Sequence, residues 1–241
     1  MNNTYQTEIK INSSMVDVNN KLRFDSILNI FQDLSTAHAT EMGMGFHTLK
    51  ENSNAFWVLS KIRFTLNNSV YQTEQATIKT WPLTPSAYRF IRDFKITSLS
   101  GEVLGSSEWC ILDWTTNRLR NFSTVKYPEG FNHLSDRSGA GDFLRVNETV
   151  NDSDYNHTHK ALFTDIDCNG HVNNVAYAKM ALNTFTPEEF ENHNFKEFEI
   201  HFISQSYYGN EIKIYKKGVE KGVYVEGKLN DKTIFKTTFI K

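Results

Sequence analysis

Reactive side chains concentrate in ten residues, Asp165-Ile166-Asp167-Cys168-Asn169-Gly170-His171-Val172-Asn173-Asn174. An imidazole titrates near neutral pH, so His171 suits general-base work. Asp167 can orient that imidazole, hold an attacking water, or attack a carbonyl itself, and the sequence leaves the three open. Asn169 can hold a water or a polarised carbonyl through its carboxamide. The N–H groups after Gly170 are candidate oxyanion donors. Hydrolysis at a polarised carbonyl needs this set of groups. Each residue also has an ordinary use, because Asp and Asn close turns and cap helices. Cys168 is expected to face the core, since neighbours along an extended segment point apart. That argues against a thiol nucleophile.

These groups need a strand, a turn and a helix to position them. A strand over residues 159–164 leads in, and the polar residues with Gly170 make the turn. An apolar-periodic helix then runs over 174–184, with Asn173 or Asn174 as its N-cap. Its N-terminus favours negative charge beside Asp167, Asn169 and His171. Strands follow over 195–204 and 210–216. A terminal hairpin, 223–229 with 233–240, turns at Asn230-Asp231-Lys232.

The first half carries the same order at greater length. An alternating segment over 5–16 predicts a strand, and Asp17-Val18-Asn19-Asn20 a turn. Asp25 or Ser26 is the expected N-cap of a helix whose stripe is Ile27, Leu28, Ile30, Phe31, Leu34 and Ala37. Gly43 and Gly45 suit its end. Strands are expected over 55–64, 75–81, 88–98 and 103–114. A shift of 150 residues lays Asp17 on Asp167 and Asn19 on Asn169, and Lys21 on His171. A long amine cannot take the part of a neutral imidazole. A helix with one apolar stripe needs a sheet to lie on, so the expected class is α+β, in two layers per half.

Composition narrows the function classes. A net charge of −2 carries no basic footprint for nucleic acid. Two cysteines, Cys110 and Cys168, make no disulfide framework, which favours a reducing cytoplasm. No apolar run reaches membrane-spanning length, and the N-terminus lacks a secretion-signal pattern. His157 and His159 have metal-like spacing without a supporting cluster, so solvated strand-edge histidines are expected.

A strand, a D-x-N-x-H turn, a helix and an antiparallel sheet resemble the hotdog fold. Two such copies, with Asp167-Cys168-Asn169-Gly170-His171-Val172-Asn173-Asn174 in the second, resemble the acyl-ACP thioesterases of plants and bacteria. Phe56-Trp57-Val58-Leu59-Ser60, Thr80-Trp81, Trp114-Thr115-Thr116-Asn117-Arg118 and Gln205-Ser206-Tyr207-Tyr208-Gly209-Asn210-Glu211 carry the resemblance across nearly the whole chain.

The resemblance implies two tandem hotdog domains, each a long helix packed on an antiparallel sheet. Residues 1–135 would form a non-catalytic N-terminal hotdog with the acyl-chain pocket, 136–154 a linker, and 155–241 the catalytic hotdog. It implies hydrolysis of fatty acyl thioesters of acyl carrier protein to free fatty acid, in fatty acid biosynthesis. Catalytic roles would fall on Asp167, Asn169 and His171. The family's later Glu and Cys align with Gln205 and Ser206. Gln is no general base and can only orient water or an amide. Glu199 lies six residues earlier, about 20 Å away on an extended strand. Ile27, Phe31, Leu34 and Trp57 are candidates for the acyl pocket, with plain core as the other reading. Acyl carrier protein is the expected partner, with no nucleic acid, no membrane insertion, no metal and no organic cofactor. A homodimer is a further expectation. Lys61, Arg63, Arg89, Arg92, Arg118, Arg120 and Lys126 are candidates for a basic docking patch. The alternatives are an acyl-CoA thioesterase of the same fold and a non-catalytic acyl-binding hotdog, the latter motivated by Gln205.

Overall fold

The computed structural model describes residues 2–125 and 127–241, so Lys126 of the expected basic patch lies outside the described residues. Two compact units, Met1–Gly141 and Asp142–Lys241, divide the chain.

In the first unit β1 (Tyr5–Lys10) precedes α1 (Phe24–Glu41) and a short α2 (Phe46–Ser53). Four strands follow: β2 (Ala55–Asn67), β3 (Gln75–Pro82), β4 (Phe90–Thr97) and β5 (Glu102–Asp113). All pair antiparallel in the order β1-β3-β4-β5-β2. The second unit holds β6 (Tyr155–Lys160), α3 (Asn174–Leu182), α4 (Pro187–His193), β7 (Glu197–Phe202), β8 (Glu211–Val219), β9 (Gly222–Leu229) and β10 (Lys232–Ile240). Its antiparallel order is β6-β8-β9-β10-β7. The two orders are the same topology, so the chain repeats an architecture whose sequence identity has faded.

The expected stripe of α1 is the buried one: Ile27, Leu28, Ile30, Phe31 and Leu34 face the core. Phe31 stacks on Phe94 at 4.2 Å between ring centroids. Gly105 makes room for it, since a Cβ there would lie 2.2 Å from the Phe31 ring. The helix begins earlier than expected, with Arg23 at the N-cap. Asp25 does not cap it, because its two oxygens are held by the Arg23 guanidinium at 2.9 and 3.1 Å. Gly43, at φ +67°, ends α1 in the left-handed turn that glycine favours. In the second unit the equivalent helix, α3, is half the length of α1, nine residues against eighteen, so among the described residues only the first unit has a long helix. Asn173 caps α3 by accepting the Val175 N–H at 2.8 Å.

Two helices went unread in the sequence. The start of α4 was legible: Thr186 accepts the Glu189 N–H, and Pro187 occupies the first turn. The start of α2 was not, because Gly45 caps it without a side chain.

Residues 136–144 hold no helix or strand, yet they are pinned. The Trp81 indole donates to Asp136 O, and Arg63 Nε donates to Ala140 O at 2.6 Å. The buried Asp93 carboxylate accepts the Ser138 N–H and the Arg137 guanidinium. In the second unit the buried Glu199 accepts the Leu144 N–H at 2.9 Å.

Candidate active site

Asp167 organises its own turn. Its Oδ1 accepts the N–H of Asn169 at 2.8 Å and that of His171 at 3.3 Å. Its backbone N–H donates to His171 O at 2.8 Å, and Gly170 N–H donates to Asp167 O at 3.0 Å. Gly170 sits at φ +78°, where a side chain is strained. The turn of the first unit is built the same way. Asp17 Oδ1 accepts from Asn19 and Lys21 at 2.8 and 2.9 Å, and Asp17 N–H donates to Lys21 O. The aspartate is therefore common to both copies as a turn former. The imidazole is what distinguishes them.

A second segment closes on this turn. Val172 N–H donates to Ser206 O at 2.9 Å, so Gln205-Ser206-Tyr207 runs beside His171-Val172-Asn173. The Tyr207 ring stands 5.2 Å from the imidazole of His171, tilted by 59°. Gln205 is exposed, while Asp167 and His171 are half-buried. Ser206 is fully buried: its Oγ lies 2.8 Å from the Tyr177 hydroxyl, which also accepts the Ser206 N–H. Burial raises the Tyr177 pKa, so the phenol stays protonated. The Ser206 hydroxyl is thus a locked structural group. Neither Tyr177 nor Tyr207 stood out as a site residue, since one belongs to a helix stripe and the other to a loop distant in sequence.

Three expectations about the turn and the strand before it need correction. Cys168 is exposed and does not face the core. Residues 168 and 169 are the tip of a tight turn, where strand alternation does not hold. The N–H groups after Gly170 are not open oxyanion donors either. Those of His171, Val172 and Asn173 go to Asp167 Oδ1, Ser206 O and Asp165 O. The Asn169 side chain is exposed at the tip of the turn. His159 is not simply solvated, for its Nε2 lies 2.9 Å from Asp165 Oδ2. That carboxylate also accepts the Leu162 N–H, which bends the chain at Phe163–Asp165 and ends β6 early.

Glu199 does not replace Gln205. It is buried on β7, its Oε1 2.5 Å from His201 Nε2. Among the described residues, several candidates for the basic patch are buried or lie against other groups. Arg63 and Arg92 are buried, Arg120 is tied to Asp113 and Ser53 O, and Lys61 and Arg89 flank Glu108. Cys110 is half-buried, and burial pushes its thiol up.

Within the first unit lies a partly open apolar cavity of about 160 Å³. Its lining comes from α1, the α1–α2 turn, β2, β4 and β5, and includes Ala39, Met42, Trp57, Phe90 and Trp109. Of the four pocket candidates only Trp57 lines it, with its indole N–H anchored on Met44 O at 2.8 Å. Ile27, Phe31 and Leu34 are core, because they lie on the helix face against the sheet.

A repeated strand–turn–helix–sheet unit with one histidine-bearing turn defines a double-hotdog protein. Models of the acyl-ACP thioesterase N-terminal and C-terminal domains match residues 2–124 and 148–238. The chain belongs to the acyl-ACP thioesterase family. It is 24% identical over 199 residues to a chloroplastic acyl–(acyl-carrier-protein) hydrolase of Cuphea viscosissima, covering 78% of this chain and 48% of that protein. It is 22% identical over 209 residues to the chloroplastic oleoyl-acyl carrier protein thioesterase 2 of Arabidopsis thaliana, covering 80% and 57%. The chain thus spans about half the length of these relatives. In fold it resembles an acyl-ACP thioesterase of Bacteroides thetaiotaomicron, at TM-score 0.87 and 23% identity over 99% of this chain and 97% of that one. The 12:0-ACP thioesterase of Umbellularia californica follows at TM-score 0.85 and 14% identity, covering 100% and 97%. No helix among the described residues is long and apolar enough to cross a membrane.

Proposed function

We propose that this chain hydrolyses the thioester between a fatty acyl group and acyl carrier protein, with the chemistry in the second unit. The observation that carries this reading is the pair of equivalent turns, of which only the second bears an imidazole, His171 against Lys21. Family membership and the activities named for the Cuphea and Arabidopsis relatives support it.

In this reading His171 takes a proton from water as the oxygen attacks the thioester carbonyl. Asp167 fixes the turn through Oδ1 and orients the attacking group. Asn169 donates its carboxamide N–H to the forming oxyanion, since the neighbouring backbone donors are spent. The intermediate collapses by breaking the C–S bond. The departing thiolate takes the proton held by His171, giving free fatty acid and holo-carrier protein. Gln205 holds the water by hydrogen bonds but moves no proton. The apolar cavity of the first unit suits an alkyl chain.

Turnover of purified protein on a panel of acyl-ACPs and acyl-CoAs tests this reading. A higher kcat/KM on acyl-ACP supports it, and a preference for CoA esters moves the carrier assignment. Gln205 in the place of a carboxylate favours a second reading, a non-catalytic acyl-binding protein. Binding without turnover on either carrier would establish that one.

A further inference from the structure

The two units share a backbone frame around the turn but differ in one buried pair of side chains. In the first unit Leu22 N–H donates to Val70 O, Thr73 N–H to Ile11 O and Ile11 N–H to Glu74 O, at 2.8 to 2.9 Å. In the second unit Val172 N–H donates to Ser206 O, Gly209 N–H to Ala161 O and Ala161 N–H to Asn210 O, over the same distances. Ser206 is thus the counterpart of Val70, and the 150-residue shift lays Ile27 on Tyr177. All four side chains are buried. The first unit builds the frame with an apolar pair, Ile27 and Val70. The second builds it with two hydroxyls.

The frame itself therefore does not require hydroxyls, and burying them is costly unless they are hydrogen-bonded. Here they bond each other. The Tyr177 oxygen lies 2.8 Å from Ser206 Oγ and accepts the Ser206 N–H at 3.0 Å. Two directional bonds between the same two residues fix position more closely than an apolar contact does. The tyrosine ring is set from the core, its centroid 5.4 Å from that of Phe235 and 6.2 Å from that of Phe202. Tyr177 thus ties the core of the second unit to Ser206.

Ser206 stands between Gln205 and Tyr207, and the Tyr207 ring lies 5.2 Å from the His171 imidazole. Asp167 is also close. Burial raises the Tyr177 pKa first, and the charges of Asp167 and Tyr207 push it the same way. The hydroxyl pair is therefore found in the unit that carries the imidazole, directly behind the segment that faces it.

We infer that Tyr177 is a positioning residue for hydrolysis, fixing Gln205 and Tyr207 against His171 through its two bonds to Ser206. The inference rests on the hydrolytic reading of the second unit. Buried as it is, Tyr177 acts through Ser206. A misplacement of about 1 Å costs about 10²-fold in rate, so the pair acts on kcat.

Tyr177→Phe keeps the ring and removes the hydroxyl. On acyl-ACP its kcat is expected to fall at least tenfold with KM within twofold of wild type, at a temperature where circular dichroism shows it folded. A second measurement needs no turnover. The Tyr207 ring current shifts the Hε1 resonance of His171, which is identified by its loss in His171→Ala. Tyr207→Leu gives the resonance without the ring. In Tyr177→Phe it is expected to move toward the Tyr207→Leu position. Ser206→Ala, which keeps the backbone N–H bond to Tyr177, is expected to show smaller changes of the same sign, and it serves where Tyr177→Phe does not fold. A wild-type kcat in either folded variant would overturn the inference. So would a fall in kcat with the His171 resonance unmoved, because the loss would not pass through Tyr207. If the wild type turns over neither carrier, the hydrolytic reading fails, and the resonance alone decides whether Tyr177 places Tyr207 on His171.

Discussion

The Asp167 carboxylate accepts the backbone N–H of His171 at 3.3 Å, so one turn holds the acid and the imidazole of the candidate site in a fixed relation. The same bond joins Asp17 to Lys21 in the first unit. The turn forms there with lysine at the equivalent position, so its architecture does not depend on the histidine.

His171→Ala should therefore fold normally and lose activity. General-base catalysis is worth about 10²–10⁴-fold, and a fall in kcat/KM on acyl-ACP of that order is expected. Near-wild-type hydrolysis would sink the assignment of the base.

Cys168→Ser should retain most of the wild-type rate. The thiol stands at the exposed tip of the turn, and nothing in the reaction described requires it. A folded but inactive serine variant would point to a thiolate mechanism, read directly by comparing alkylated and unalkylated enzyme.

Gln205→Glu places a carboxylate beside the His171 segment, at an exposed position that tolerates charge. The rate should hold or rise, because a carboxylate adds an acceptor for the water proton. A collapse in kcat with intact folding would mean that the carboxamide N–H of Gln205 is itself needed.

Phe31 and Trp57 separate core from cavity. Phe31→Ala should cost about 3–5 kcal/mol in urea unfolding, as a buried aromatic deletion does. Trp57→Ala should cost less and should alter the relative kcat/KM across acyl chain lengths, since Trp57 lines the cavity. A shift in chain-length preference from a folded Phe31 variant alone would reverse the two roles.

His38 predicts a pH dependence of stability. Its folded imidazole is pushed down to about 4, by burial first and by Arg92 second. The unfolded chain therefore binds one more proton between pH 6.5 and 4, and stability falls as pH drops through that window. The loss reaches about 3 kcal/mol. Urea midpoints at pH 7.5, 5.5 and 4.5 should show a shallower decline in His38→Gln. Parallel declines in the two proteins would remove His38 as the cause.

Several features were legible because their causes are short-range. The Asp-x-Asn turn, the positive φ at Gly170 and the Asn173 cap all close within ten residues of sequence, so residue type alone implies them. The stripe of α1 was legible for the same reason, since 3.6-residue periodicity is local. The repeat was legible through element order, and the two identical sheet topologies give it a physical basis. The failures trace to bonds made at a distance. Strand alternation put Cys168 inside, but the tight turn exposes it. The N–H groups after Gly170 looked available until Ser206, far along the chain, took one of them.

The sequence by itself determined the turn and the duplicated α+β plan, because these rest on local hydrogen bonds and periodic burial. Only the tertiary structure decided which apolar residues line a cavity, which are plain core, and which cations are paired. Ile27, Phe31, Leu34 and Trp57 look alike in a string, and Arg63 and Arg92 do too. What separates them is the set of groups that the folded sheet and the pinned segment bring against each one.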